Sequence, residues 1–367
     1  MSTNSKAITV TPEGAVTISY RDLIANPLSL ESSIEKAFGS DPSCLGIIVV
    51  RDLPKEYARF RERLLKLAYQ FGKLDESVRE GYSDFASRYS FGWSHGKEIM
   101  NGKLDFLKGS FYANPVVDTP EVPEEHKKDY PEYYGTNIWP KADESGVEGF
   151  EQAFKDLGRF VFDIGCKLAE ACQPFGMQMQ LAPALKQLSD SNVSLPALIS
   201  TSQTTKARLL HYFPPSDETV LSPTEDEPID SWCGFHLDHS LLTGLCSAMY
   251  LQEKSAGTEP DVVSSPSPSS GLYIRARGGQ LTKVAIPVDC LAFQTGEALE
   301  IATGGKLRAT PHCVRVGGSP GVGRVSRETF ALFMQPNIDQ QLSPQVTFGQ
   351  FSKRVFDEHY DGQETPM

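Results

Sequence analysis

Two segments far apart in the chain constrain it most: Gly234-Phe235-His236-Leu237-Asp238-His239-Ser240 and Pro311-His312-Cys313-Val314. Both lie among short apolar runs closed by glycine turns. Leu241-Leu242-Thr243-Gly244-Leu245, Ser247-Ala248-Met249-Tyr250-Leu251, Gly271-Leu272-Tyr273-Ile274, Cys290-Leu291-Ala292-Phe293-Gln294 and Ala298-Leu299-Glu300-Ile301 are such runs, with turns at Thr295-Gly296 and Gly304-Gly305. That punctuation predicts an antiparallel β-architecture. Side chains on a strand alternate, so His236 and Asp238 point one way while Leu237 and His239 point the other. A histidine from a second strand, His312, can converge on them. Two imidazoles and one carboxylate on one side of a divalent iron leave the opposite positions open, the 2-His-1-carboxylate facial arrangement. The alternative is a local hydrogen-bonded His236–Asp238 pair and a core His312 satisfied by backbone. Cys233 and Cys313 would turn the site toward zinc as soft ligands. Alternation instead sends Cys313 away from His312.

Composition removes several classes. The 367 residues are 40% hydrophobic, enough for a full core, and the formal charge of −12 argues against a nucleic-acid surface. No run approaches the ~20 apolar residues of a membrane span. The amino terminus, Met1-Ser2-Thr3-Asn4-Ser5-Lys6, lacks the charged and apolar regions of a secretion signal, so a cytoplasmic location is expected. Seven cysteines without a CxxC pair fit reduced thiols.

Helical periodicity comes early. Ala15–Tyr20 reads as a strand, and Ser29 opens a helix with Leu30, Ile34 and Phe38 that ends at Gly39. Leu45–Val50 reads as a buried strand. Tyr57, Phe60, Leu64, Leu67, Ala68 and Phe71 form the stripe of a helix stopped by Gly72, and Phe150, Phe154, Leu157, Val161, Ile164, Leu168 and Cys172 that of a longer one stopped before Pro174. Strands dominate from Lys206, beginning with Ala207–Phe213. The expected organisation is a helix/strand region over 1–200, a β core over 201–340 interrupted by a flexible Ser/Pro loop at 253–270, and a C-terminal helix and tail over 341–367. In that helix Phe351, Val355 and Phe356 form the apolar side.

In this order the segments resemble the 2-oxoglutarate and Fe(II)-dependent dioxygenase superfamily, specifically its isopenicillin N synthase-like branch. The likeness runs through Gly46–Val50, Lys108-Gly109-Ser110-Phe111-Tyr112, Asn137-Ile138-Trp139-Pro140, His211-Tyr212-Phe213-Pro214-Pro215, His236-Leu237-Asp238, Gly296-Glu297-Ala298-Leu299-Glu300 and His312. It implies an α+β, mainly β fold: a double-stranded β-helix, or distorted jelly roll, with a helical amino-terminal region and a C-terminal helix. It implies His236, Asp238 and His312 as Fe(II) ligands, with 2-oxoglutarate and O2 as co-substrates. The family's Arg-x-Ser, which holds the far carboxylate of 2-oxoglutarate, matches two registers. Arg324-Val325-Ser326 matches by letter. Arg327-Glu328-Thr329 matches by distance to Pro336, once Gly317–Gly323 is taken as a turn insertion, and Arg327 with Thr329 is the expected pair. For the family's tyrosine the choice lies between positions 212 and 213, and only Tyr212 can donate a hydrogen bond. His211 stands where the family usually has asparagine.

The function expected from this resemblance is oxidation of a small organic substrate, by hydroxylation or desaturation, with release of succinate and CO2. The alternatives are an iron-dependent oxidase of the same branch that does not use 2-oxoglutarate, and a non-catalytic binding protein retaining the fold. Zinc hydrolysis lacks a separate glutamate placed as general base. Phe91, Trp93, Phe111 and Tyr112 are candidates to line a substrate entrance. A small-molecule partner is expected, with no nucleic acid or membrane. The sequence leaves the oligomeric state open.

Overall fold

A computed structural model of the chain describes residues 7–97, 99–100, 103–176, 194–214, 234–254, 258–315 and 324–360. The principal strands are β1 (Val16–Ser19), β2 (Ile47–Arg51), β3 (Gly92–His95), β4 (Lys108–Ala113), β5 (Lys206–Tyr212), β6 (Leu242–Cys246), β7 (Met249–Gln252), β8 (Gly271–Arg275), β9 (Leu281–Val284), β10 (Leu291–Thr295), β11 (His312–Arg315) and β12 (Val325–Met334). The helices that frame them are α1 (Glu31–Phe38), α2 (Glu56–Lys73), α3 (Phe150–Cys172), α4 (Glu297–Ala302) and α5 (Phe348–Tyr360).

A large sheet runs β1-β2-β10-β6-β12-β5-β4-β3, with β7 pairing the early part of β12 and a short strand Asp261–Val263 pairing β7. Apart from the parallel β1–β2 pair, these strands are antiparallel. A second sheet, β9-β8-β11, carries His312. The early strands β1 to β4 therefore hydrogen-bond within the same sheet as the later ones.

Alternation gives the large sheet two different faces. One face is covered by α2 and α3. There Phe293 of β10, Phe330 and Met334 of β12 and Leu209 of β5 join Leu64, Phe71, Phe154 and Val161 in one apolar core. Helix and sheet approach closely at Gly165, where an added Cβ would collide with Met334. The other face looks toward the second sheet. Ile47, Val49 and Ala292 meet Leu272, Ile274 and Val284 there, and Leu210 and Tyr212 meet Val314. His312 lies in register with Ile274 and on the same face as Val314, so it projects into this interior.

Several expectations change. The Ala298–Ile301 run is helical, within α4; a four-residue run suits either state, and the backbone N–H of Glu297 bonds the Asp238 carbonyl at 2.8 Å. Gly72 lies inside α2 rather than beyond it, because a small residue is needed where the helix crosses the His211 ring. The Ser/Pro segment contains the strand Asp261–Val263, while 255–257 of that loop, the turn at Gly317–Gly323, Pro215 and Cys233 lie outside the described residues. The C-terminal helix runs Phe348–Tyr360 with Phe351 buried; the side chains of Val355 and Phe356 are likewise outside the description. No described helix is long and apolar enough to cross a membrane.

Candidate metal centre

His236 and Asp238 do not sit on a regular strand. His236 makes an isolated antiparallel bridge to His312, with both backbone N–H···O bonds at 3.1 Å, and the chain then curls away so that Asp238 lies beneath the pair. This corrects the strand expectation, although the three side chains still meet. One donor atom from each of His236, Asp238 and His312 falls within 4.8 Å of the others. His236 Nε2 and His312 Nε2 lie 3.8 and 3.9 Å from the same oxygen, Asp238 Oδ1. Asp238 and His312 are buried, while His236 is exposed on the outer side.

The protonation pattern follows from the partners. His236 Nδ1 lies 2.8 Å from the Gly234 carbonyl and His312 Nδ1 lies 2.9 Å from the Thr310 carbonyl. A carbonyl can only accept, so each Nδ1 carries a proton and each ring turns its Nε2 toward the carboxylate, unprotonated in the neutral form. Burial lowers the His312 pKa, the adjacent Asp238 opposing and His236 reinforcing the shift, which keeps His312 in the neutral form. With both rings neutral, the two nitrogens and the carboxylate oxygen are three acceptors facing one another, an arrangement that a cation among them relieves. The donor set of two nitrogens and one oxygen suits a divalent transition metal, and carbonyl-anchored imidazoles are the usual support for one. Among the described residues no cysteine joins this group. Cys313 is buried within the second sheet, opposite Tyr273.

Asp238 is held from below. Thr243 Oγ1 donates to its Oδ2 at 2.6 Å, and Ser240 Oγ is 2.9 Å from Thr243 Oγ1. Because Thr243 uses its proton on the carboxylate, the Ser240 hydroxyl supplies the proton of the second bond. Sequence reading passed over both residues; a threonine five positions after an aspartate carries no signal until the strand register is known.

Arg327 lies on the interior face of β12, paired with Tyr212 of β5. It is 7% exposed, its guanidinium stacks over the Tyr212 ring at 4.8 Å, and its Nε and Nη1 have no hydrogen-bond partner. A buried guanidinium with unused donors is costly and calls for an anion. Arg324 differs: its side chain is 71% exposed and ion-paired with Glu253 at 3.2 Å. Ser326 points to the helix-covered face, where it donates to Glu328 Oε1 at 2.7 Å. Thr329 is half-buried on the Arg327 side, opposite Leu210. Tyr212 faces the interior, whereas Phe213 packs on His211 and His95 with ring centroids 4.5 and 4.8 Å away. His211 also faces away from the interior, and its Nδ1 lies 2.9 Å from both carboxylate oxygens of Glu328.

Of the four aromatic candidates for a substrate entrance, Trp93 and Phe111 are buried in the core with Phe71, and Phe91 is buried against Lys206. Only Tyr112, half-buried, is on the same face as Arg208 and Tyr212. Strand alternation sent Trp93 and Phe111 to the helix side.

No family model matches the chain. A curated protein of Dictyostelium discoideum, named "Probable iron/ascorbate oxidoreductase", is 24% identical over 76% of this chain and 69% of its own length. A 2OG-Fe(II) oxygenase family protein of Caulobacter crescentus superposes with TM-score 0.64 over 96% of this chain and all of its own, at 19% identity. The chain shares the fold of that 2OG-Fe(II) oxygenase family protein. A full-length Neurospora crassa protein, solved in complex with alpha-KG and 5-formyluracil, superposes at TM-score 0.58 over 91% of this chain and 89% of its own, at 16% identity. JOX2, solved with 2OG, Fe and JA, gives 0.56 over 95% and 89% at 14% identity. These proteins share the architecture across nearly the whole chain.

Proposed function

We propose that this protein is a non-haem Fe(II)- and 2-oxoglutarate-dependent dioxygenase that oxidises a small organic substrate, with succinate and CO2 as co-products. In this reading the two facing sheets are the distorted jelly roll, and His236, Asp238 and His312 hold the iron. The observation that carries it is the buried guanidinium of Arg327, with Nε and Nη1 lacking hydrogen-bond partners, on the face of the large sheet turned to the interior into which His312 projects.

Spacing supports the pairing of the two. Phe333 of β12 lies opposite Thr243, which holds Asp238, and Arg327 is six residues back along the same strand. At ~3.3 Å per residue that is about 20 Å, a gap that an arginine side chain, a short dicarboxylate and a metal can fill together. Leu210, Leu245 and Ala331 floor the space between, giving an apolar bed for the carbon chain. The bound iron would supply the oxygen chemistry. Arg327 and Thr329 bind and orient the far carboxylate, Tyr212 braces the guanidinium by stacking, and Thr243 fixes the carboxylate of Asp238.

A guanidinium with two free donor atoms also fits a carboxylate on the substrate itself, which is the oxidase reading without 2-oxoglutarate. Anaerobically loaded Fe(II) protein, given oxygen and a panel of small organic acids and secondary metabolites, separates the two. Substrate-dependent oxygen uptake that requires 2-oxoglutarate and yields succinate is the expected result. Uptake without succinate leaves the oxidase, and no binding of iron leaves a non-catalytic protein of this fold.

A further inference from the structure

Gln294, near the end of β10, is fully buried, and neither its Oε1 nor its Nε2 has a hydrogen-bond partner. Its neighbours on β10, Leu291 and Phe293, point into the helix-side core, and Ala292 points into the interior, so alternation puts Gln294 in the interior as well. Across the ladders it is flanked by Ile47 on one side and Thr243 on the other. Directly opposed residues on one face have Cβ atoms about 5 Å apart, so the Gln294 and Thr243 side chains leave the sheet side by side and the amide is within reach of the hydroxyl on a rotamer change. That hydroxyl already donates to Asp238 Oδ2 and accepts from Ser240, leaving it room for one more donor. An apolar side chain, like those of Ile47 and Ala292 around it, would satisfy this corner of the core. An amide with two donors and an acceptor unused does not, unless a state of the protein employs it.

We propose that Gln294 is a positioning residue for the metal, acting through Thr243 on the carboxylate of Asp238. This rests on the iron reading above. When Asp238 Oδ1 is committed to a cation, the charge left on Oδ2 is held by Thr243, and the Gln294 amide is the uncommitted donor on the residue paired with that threonine. Its effect falls on metal affinity rather than on folding.

The test compares wild type with Gln294→Met, which keeps the volume and removes the amide, by anaerobic titration with Co(II) and Fe(II) and by thermal unfolding without metal. The metal dissociation constant should rise on the order of 5-fold, below the roughly 10-fold lost when a direct support of a metal ligand is removed. The metal-free protein should be as stable as wild type or more so, since a buried unsatisfied group is lost. In a Thr243→Val background the same change should have no further effect on affinity, because the relay it works through is gone. Affinity within twofold of wild type, or an undiminished loss in the Val background, overturns the proposal. Gln294→Asn, which keeps the amide but shortens its reach, should show a smaller loss of the same sign. If Gln294→Met does not fold, unchanged affinity in Gln294→Asn overturns the proposal. Failure of wild type to bind either ion sinks the iron reading itself, a different result from equal binding by wild type and variant.

Discussion

Arg324 and Arg327 are three residues apart, and their surroundings assign them different work. Arg324 is in water with a glutamate partner, an arrangement worth about 0–1 kcal/mol. Arg327 is buried with two donor atoms unused. Arg327→Ala should weaken 2-oxoglutarate binding on the order of 100-fold, since hydrogen bonds to a charged group are worth roughly 1.5–3 kcal/mol each. Arg324→Ala should change it less than twofold. Isothermal titration of the Mn(II)-loaded protein checks both, and equal effects would send the register back to the letter match at Arg324. At the metal, Thr243→Val leaves Asp238 Oδ2 without its donor at 2.6 Å. Metal affinity should fall about 10-fold, while Thr243→Ser, which keeps the hydroxyl, should retain most of it.

At the scale of elements, the apolar core of β12 against the helices decides stability. Phe330 is fully buried and meets the Phe154 ring edge-on at 5.5 Å. Phe330→Ala should cost about 3–5 kcal/mol by urea unfolding, because helix α3 and the sheet cannot both close on the gap. A loss below 1 kcal/mol would mean that α3 moves freely over the sheet. These elements were also the most legible in the sequence. The stripe from Phe150 to Cys172 marks α3 at both ends, since 23 residues of period 3.6 admit no other reading. The short run Ala298–Ile301 carried no such period and became a helix. His236 and Asp238 could be recognised from their types and order, but not the irregular backbone between them. Ser240, Thr243 and Gln294 were invisible as a group, because their proximity depends on the pairing of β6 with β10 and no local pattern encodes that register. For the arginines, sequence letters favoured Arg324 and spacing favoured Arg327; burial separates them because only the folded sheet says which face is interior.

For the molecule as a whole, the dependence of stability on pH has an identifiable source outside the metal centre. Lys206, at the start of β5, is buried with its ammonium 4.2 Å from the Phe91 ring and donates to the backbone carbonyl of Glu132. Glu132 belongs to the short helix Pro131–Tyr134, which is tied to α5 through the Tyr133–Ser352 hydroxyl pair, so the lysine sits where three separate parts of the chain meet. Burial pushes its pKa down from 10.5 to about 7, with Glu132 opposing the shift. The unfolded chain, with the higher pKa, therefore holds a proton that the folded chain has released across pH 7 to 10.5. Stability contributed at this position rises with pH through that window, and the penalty is complete below it. Lys206→Met removes the titration. The variant should gain most over wild type at pH 7 and below, with the gain shrinking by on the order of 2 kcal/mol between pH 7 and 9, at 1.36 kcal/mol per pKa unit. Paired urea unfolding curves at the two pH values measure it, and taking the difference between variant and wild type cancels the other titrating groups. A gain independent of pH would mean that Lys206 stays charged in the folded protein, held by the Phe91 face and the Glu132 carbonyl.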